Sequence, residues 1–166
     1  MRFEVQQSFG ADADAVARAY ADPELYGALT DLPGLGRPEV VDHRARGGTV
    51  HLDVRWRFTG ALSPAVTAVV DPDRLSWIER SVHDLEARTT RIELHPDHYA
   101  DRLRCSAQAE VVPDGPGARR SVHGDLRVRA LLVAGAVERA IVSGLRDSLT
   151  AQARAVDGYV EARSGG

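Results

Sequence analysis

Three side chains able to hold or move a proton occupy alternate positions in the stretch RLSWIERSVHDL. Glu79, Ser81 and His83 share one strand face, because successive side chains of a strand point to opposite faces. Leu75 and Trp77 precede them on that face. If these two apolar residues face the core, the polar groups follow them inside, where desolvation raises the pKa of a carboxyl group. There they could orient a ligand, or Glu79 or His83 could move a proton.

Two less specific interpretations of these three residues stay open. A bulge or a register change in the strand would turn all three side chains outward, and this is the simplest expectation. An internal polar patch without chemistry ranks second, and catalysis ranks third. An enzyme requires at least two of the groups Glu79, Ser81 and His83 to meet in one pocket.

A second candidate site is the stretch HPDHYADRLRC, which holds two histidines three residues apart and the one cysteine of the chain. His95, His98 and Cys105 would make a zinc site only if they converged within about 2.0–2.3 Å of one ion. The Pro96–Asp97 pair marks a turn. We therefore expect a hairpin with both histidines at its rim, Cys105 facing the core, and no metal.

Arginine pairs mark what the alternation predicts to be the outer face of the sheet. A basic stripe there would suit nucleic acid, but acidic residues belong to the same face, and aromatic residues for base stacking are absent from it. Cross-strand ion pairs of about 0.2–1 kcal/mol each are the expected role, with no nucleic-acid partner. The pairs are Arg55/Arg57, Arg102/Arg104 and Arg127/Arg129.

The elements that would position these groups show in the period of the apolar residues. The chain opens with a predicted strand, RFEVQQSF, and from Arg37 to about Arg129 the period is mostly two. One-sided alternation between tight turns predicts an antiparallel sheet with one solvated face. The clearest strand is TVHLDVRWRF, in which the residues predicted to face inward are Val50, Leu52, Val54, Trp56 and Phe58.

Helical spacing occurs on both sides of the strand-rich region. Asp12 and Asp22 are candidate N-caps of two short helices, and Pro33 is expected to stop the second. From about Leu132 to Ala162 the chain lacks proline, and apolar residues recur at helical spacing. This predicts one helix of about 29 residues, roughly 40 Å long, lying across the apolar face of the sheet.

Small residues recur at every fourth position of the predicted long helix, at Ala140, Gly144 and Ser148. A glycine inside a helix costs about 1 kcal/mol relative to alanine. Close approach of the helix to a strand is the favoured explanation. The alternative is room for a ligand beside Ile141 and Leu145.

Composition limits the class of protein. The 166 residues carry a net charge of −3, one cysteine and no run of apolar residues long enough to span a membrane. All 21 basic residues are arginine, a bias typical of a GC-rich bacterial genome. We expect a cytoplasmic protein with a single domain over residues 1–163, a frayed tail at 164–166, and no cofactor.

Three stretches resemble a known family: RFTGALSPAVTAVVDPDRLSW, PDHYADRLRC and GDLRVRALLVAGAVERAIVSGL. With the order of the elements, they resemble the START-like (SRPBCC, Bet v 1-like) superfamily and, more narrowly, DUF2505, an actinobacterial family of unknown function. The resemblance implies an α+β helix-grip fold, in which a curved antiparallel sheet of six or seven strands grips a long C-terminal helix. It often implies a ligand cavity, but transfers no catalytic residue.

Three functions compete. The first is binding of a small hydrophobic, lipid-like or polyketide-like molecule between sheet and helix. The second is a non-catalytic interaction protein with a filled core, including a homodimer, and the third is a cofactor-independent cyclase or dehydratase using Glu79, Ser81 or His83. The residues predicted to line the cavity of the first are Trp56, Phe58, Trp77, Glu79, Cys105, Leu126, Val137, Ile141, Gly144 and Leu145.

Overall fold

The alternating sequence forms one seven-stranded antiparallel sheet in the order β1-β7-β6-β5-β4-β3-β2. The computed structural model describes residues 1–130 and 134–165. The α+β class and the antiparallel sheet predicted from the sequence are confirmed. The strands are β1 Arg2–Phe9, β2 Glu39–Arg46, β3 Thr49–Arg57, β4 Ser76–Asp84, β5 Thr89–Pro96, β6 Leu103–Asp114 and β7 Gly117–Val128.

Two short helices follow β1, as the sequence predicts. The Asp12 carboxylate accepts a hydrogen bond from the Ala15 amide at 2.9 Å, and the Asp22 carboxylate accepts one from the Glu24 amide at 3.0 Å. Both predicted caps are therefore present. The second helix ends at Ala28, before the predicted stop at Pro33, because the backbone of Leu29 is extended. The two helices are α1 Ala13–Ala21 and α2 Pro23–Ala28.

The long C-terminal helix α4 runs unbroken from Ala134 to Ser164. Its 31 residues span roughly 46 Å at about 1.5 Å per residue. The predicted start at Leu132 lies outside the described residues, as does Gly166 of the predicted tail. Ser164 belongs to the helix, so the tail prediction was wrong there. Within residues 1–130 and 134–165, no helix is long and apolar enough to cross a membrane.

The segment between β3 and β4 is not a simple loop. It contains a one-turn helix, α3 Pro64–Thr67, and a 3₁₀ turn at Pro72–Arg74. Neither was predicted from the sequence, because four or fewer residues give no readable helical period. This segment lies beside the inner face of the sheet, near the start of α4.

Strand β4 settles which way the polar residues of the first candidate site point. It pairs with β3 and β5 without a register shift, and Trp77 lies opposite Trp56. Ser81 and His83 are each only 3% exposed. The expectation that a bulge or register change turns the group outward was therefore wrong, because nothing interrupts the alternation that starts at Trp77.

Helix α4 lies over one side of the sheet more closely than the other. It packs on β1 and β7 and against α1 and α2, rather than on the middle strands. Val156 is completely buried among residues of α1, α2 and β3. Val142 and Leu149 belong to an apolar cluster with residues of β1 and β7, which extends along the sheet to Ala109 and Ile92. The space over the middle strands is left for the cavity described below.

The outer face of the sheet carries charged side chains. Arg80 lies 3.1 Å from Asp53 on the neighbouring strand, and Arg55 lies 2.7 Å from Asp97. Of the arginines predicted to pair across strands, Arg55 reaches Asp97 just beyond β5, whereas Arg127 pairs with Asp125 of its own strand. Arg80 and Asp53 form a cross-strand pair that was not predicted. Such exposed pairs contribute little, about 0–1 kcal/mol each.

Candidate functional site

A cavity of about 490 Å³ lies between the inner face of the sheet and α4. Most of its lining is apolar or aromatic. Such a volume is at odds with the filled core of the interaction-protein hypothesis. The residues predicted to line it that do so are Trp56, Phe58, Trp77, Glu79, Cys105, Leu126, Ile141, Gly144 and Leu145.

Val137 is the exception among the predicted lining residues. It is buried one helical turn before Ile141 and lines an adjoining apolar pocket of about 70 Å³, which shares Ile141 with the cavity. Val66 of α3 and Val128 at the end of β7 line the same small pocket. The apolar face of α4 thus extends beyond the cavity. Its first turn packs against the segment that contains α3, whose position was not predicted from the sequence.

Exposed lining residues mark the mouth of the cavity. Gly144 and Asp147 of α4 lie on one side, and the loop at 60–63 lies on the other. A Cβ built on Gly144 would meet no heavy atom within 4 Å. The expectation of close helix–strand approach at Gly144 was therefore wrong, because the helix there borders open space.

A second loop at the mouth is tied down by hydrogen bonds. The Gly36 amide donates to the Arg57 carbonyl at 2.8 Å. The Ser148 hydroxyl of α4 donates to the Pro33 carbonyl at 2.7 Å. The third small residue of the helix thus serves as an anchor for the loop, while Gly144 is left unpacked.

Glu79 is a carboxyl group in the cavity wall without a partner. It makes no hydrogen bond or ion pair with any residue of the described chain. It borders empty cavity, yet protein surrounds it closely enough that burial raises the pKa of the Glu79 carboxyl, and the positive charge of Arg120 opposes that rise only in part. An elevated carboxyl pKa in an apolar pocket is the property that general acids and bases use.

Ser81 and His83 differ from Glu79, because their hydrogen-bonding capacity is engaged. The Ser81 hydroxyl donates its one proton to the Leu52 carbonyl at 3.0 Å. Its contact of 2.9 Å with His83 Nε2 must therefore be a bond donated by the ring N–H. The other ring nitrogen, Nδ1, then accepts from the Thr90 hydroxyl at 3.1 Å.

This chain of hydrogen bonds fixes His83 as a neutral imidazole. Burial, followed by repulsion from Arg120, lowers the pKa of His83 to about 3. A histidine that donates to a serine cannot take the proton of that serine. The structure thus brings all three predicted residues to one cavity wall, but Ser81 is not an activated nucleophile.

Arg120 is a candidate site residue that was not predicted from the sequence. It is 4% exposed, lines the cavity, and has no carboxylate within 4.0 Å in the described chain. Its Nη1 donates to Gln7 Oε1 at 2.8 Å, and its guanidinium lies 4.0 Å from the centre of the Tyr20 ring. A signal was available: Arg120 lies two residues before Val122, in the inward phase of β7.

The side chain of Gln7, which orients Arg120, is itself fixed by two hydrogen bonds. Its amide nitrogen donates to the Leu149 carbonyl at 2.5 Å and to the Tyr20 hydroxyl at 3.1 Å. With the nitrogen fixed, the amide oxygen points at Arg120. Gln7 is buried on β1, and its partners come from α1, α4 and β7.

Aromatic side chains complete the wall. Tyr26 donates its hydroxyl to the Tyr20 carbonyl at 3.0 Å and lies edge-on to Trp56, with ring centres 6.3 Å apart. Burial raises the pKa of both tyrosines. Trp56 Nε1 is the one buried side-chain nitrogen or oxygen of the described residues that has no hydrogen-bond partner.

The second candidate site does not assemble. His95 lies 3.5 Å from Glu93, and His98 lies 3.3 Å from Arg74. Cys105 faces the cavity, where burial raises the pKa of its thiol to about 12. The part of the chain that the structure describes contains no metal-binding cluster. The predicted hairpin is present between β5 and β6.

Solved structures similar to this chain share its architecture. TTHA0849 from Thermus thermophilus has a TM-score of 0.70 and 17% identity, covering 99% of each chain. The Zhui aromatase/cyclase from Streptomyces sp. R1128 has a TM-score of 0.67 and 21% identity, covering 99% of this chain and 95% of that one. Norcoclaurine synthase from Thalictrum flavum in complex with dopamine and hydroxybenzaldehyde has a TM-score of 0.62 and 20% identity, covering 98% and 87%.

At these identities the likeness shows the fold alone, and it confirms the predicted Bet v 1-like, helix-grip architecture. No curated protein matches the sequence. The model of the family DUF2505, described as a protein of unknown function, matches residues 4–160. That match covers nearly the whole chain, as the three stretches quoted above predict. The chain therefore belongs to the DUF2505 family.

Proposed function

We propose that this protein binds a small, predominantly apolar molecule, lipid-like or polyketide-like, between the sheet and α4. The observation that carries the proposal is the cavity of about 490 Å³ with a mainly apolar wall and few polar groups. Sites for small molecules commonly measure about 300–1,000 Å³ and combine an apolar lining with a few oriented polar groups. The complex of norcoclaurine synthase with two small aromatic molecules supports the same use of this fold.

Binding can be measured with the protein's own fluorescence. The chain has two tryptophans, Trp56 and Trp77, and both line the cavity. We expect 9-anthracenemethanol, a neutral aromatic probe that absorbs where tryptophan emits, to quench that emission in a saturable way. Quenching that stays linear up to the solubility limit of the probe would overturn the proposal.

A cavity-filling variant tests whether the probe occupies this cavity. Ala107 faces the cavity from the middle of β6, whereas Ser106 beside it faces solvent. Ala107→Phe should abolish saturable quenching, because the added ring occupies the space, while Ser106→Phe should bind as the wild type does. Equal binding by both variants would place the probe elsewhere on the protein.

Glu79 favours a second function in the same cavity, a cofactor-independent proton transfer of the kind that a cyclase or dehydratase needs. Its carboxyl group has no protein partner, and burial raises its pKa. A carboxylate made more basic by burial removes a proton from carbon beside a carbonyl more readily. The positive charge of Arg120 in the same wall would stabilise the enolate that forms.

Exchange of hydrogen for deuterium tests this chemistry without a known substrate. In D₂O, the carboxylate of Glu79 would take a proton from C1 of 2-tetralone. That proton would exchange with D₂O, and Glu79 would then return a deuteron to C1 of the enolate. We expect the wild type to accelerate this exchange, seen by proton NMR, and Glu79→Gln to return it to the buffer rate. Glu93→Gln, on the outer face of β5, is the control; equal rates for both variants would remove Glu79 as the base.

A further inference from the structure

Building on the proposed function, we propose that the ligand is a carboxylic acid whose acid group is held by Arg120 in the cavity wall. The proposed function requires only an apolar molecule. A carboxylic acid adds a charged end to that molecule. Recognition of that end depends on the guanidinium of Arg120 and the side chains that surround it.

Arg120 has hydrogen-bond donors without an acceptor in the described chain. A guanidinium has five N–H donors and stays charged at every physiological pH. In the described chain it makes one hydrogen bond, to Gln7, and one face lies over the Tyr20 ring. The residue is 4% exposed and lines the cavity, so its remaining donors face the cavity rather than the protein surface. A buried charge without a counterion is costly, and an anionic ligand group removes that cost.

Glu79 is not a permanent counterion of Arg120. No carboxylate oxygen of Glu79 lies within 4.0 Å of the guanidinium. The two groups are nevertheless near enough to influence each other's charge. A ligand carboxylate between them can accept from Arg120 with both oxygens, which is the geometry that guanidinium groups favour. Glu79 in its protonated form can donate to the same group.

The side chain of Arg120 is oriented by a neutral group, the amide of Gln7. Gln7 is locked by the Leu149 carbonyl and the Tyr20 hydroxyl, so its oxygen orients Arg120 without neutralising it. An anchoring aspartate or glutamate would have neutralised the charge. A neutral anchor leaves the positive charge for the ligand. Arg120, held by Gln7, faces the cavity from its wall, and Gly144 and Asp147 border the mouth.

The experiment compares two matched probes, 9-anthracenecarboxylic acid and 9-anthracenemethanol, by quenching of tryptophan emission. Charge-assisted hydrogen bonds contribute about 1.5–3 kcal/mol, so the acid should bind the wild type at least about tenfold more tightly. Arg120→Met should remove that preference while still binding the alcohol. Arg119→Met is the control, since Arg119 lies on the exposed face of β7, 3.6 Å from Asp114.

Each outcome decides a separate question. Alcohol binding without a preference for the acid in the wild type overturns the carboxylic acid and leaves the proposed function standing. An acid preference that survives Arg120→Met, or that Arg119→Met also removes, overturns the role of Arg120. If Arg120→Met does not fold, Arg120→Lys replaces it and should weaken acid binding selectively. Failure of both probes to bind the wild type overturns the proposed function itself.

Discussion

Two polar regions of one cavity wall differ in whether the protein itself satisfies their hydrogen-bonding groups. The group Ser81, His83 and Thr90 forms a closed set of hydrogen bonds that ends on the Leu52 carbonyl. Glu79, only two residues before Ser81, has no partner in the described chain. A saturated buried network specifies a fold, whereas unsatisfied polar groups facing a cavity are available for a ligand.

Strand register is the cause of this difference. His83 lies opposite Thr90 on β5, so a hydroxyl is within reach of its ring. Glu79 lies between Val54 on β3 and Leu94 on β5, and neither side chain can donate or accept a hydrogen bond. The same inward phase therefore produces a satisfied residue at position 83 and an unsatisfied one at position 79.

The largest expected effect is on stability, from removing the centre of the saturated group. His83→Leu leaves the Thr90 hydroxyl without an acceptor and Ser81 without its donor. Each unsatisfied buried group costs about 1–3 kcal/mol, so with two groups affected we expect a loss of about 2–6 kcal/mol in the free energy of unfolding. Urea denaturation measures it, with His51→Leu on the exposed face of β3 as the control. A loss no greater than that of His51→Leu would contradict a structural role.

Acid should weaken the fold through the same histidine. The pKa of His83 is lowered from 6.5 to about 3 in the folded protein, so below pH 6.5 the unfolded chain binds the proton and the folded protein does not. This contribution to stability is complete above pH 6.5 and is lost as the pH falls towards 3. Between pH 7 and 5 the wild type should lose about 2 kcal/mol that His83→Leu does not lose. Parallel pH profiles of the two proteins would refute this.

Glu79 should behave in the opposite way. Burial raises the pKa of its carboxyl group, so the folded protein disfavours the ionised form. The contribution of this group to stability is complete at low pH and is lost as the pH rises through its folded-state pKa. Glu79→Gln should therefore stabilise the protein by on the order of 1 kcal/mol at neutral pH and hardly at pH 4. Destabilisation at pH 7 would mean that Glu79 has a structural partner.

The sequence was sufficient for the sheet and the long helix, because both depend on apolar residues at a regular period. The inward phase of β4 could also be read from Trp77, although an outward orientation was the simpler expectation. Arg120 was missed because arginine is seldom buried, and the neighbouring outward arginines suggested a solvated face. Extending the phase of Val122 backwards by two residues would have identified it.

What the sequence could not supply is the distance between elements. Nothing in the order of residues showed that α4 leans towards β1 and β7 and leaves space over the middle strands. The position of Val137 outside the cavity depends on α3, which has only four residues and no readable period. The predicted homodimer and the cytoplasmic location depend on other molecules and stay predictions.

Two glycines extend the comparison from polar groups to packing, with the smallest expected effect. Gly144 borders open space at the mouth, whereas a Cβ on Gly124 of β7 would lie 2.2 Å from Phe3 Cζ. Gly144→Ala should raise the free energy of unfolding by about 0.5–1 kcal/mol, since alanine favours a helix interior and meets no neighbour. Gly124→Ala, the contrasting variant, should destabilise the sheet, because the Phe3 ring has to move. Urea denaturation measures both, and a destabilised Gly144→Ala would show that helix and sheet meet there, closing the proposed mouth.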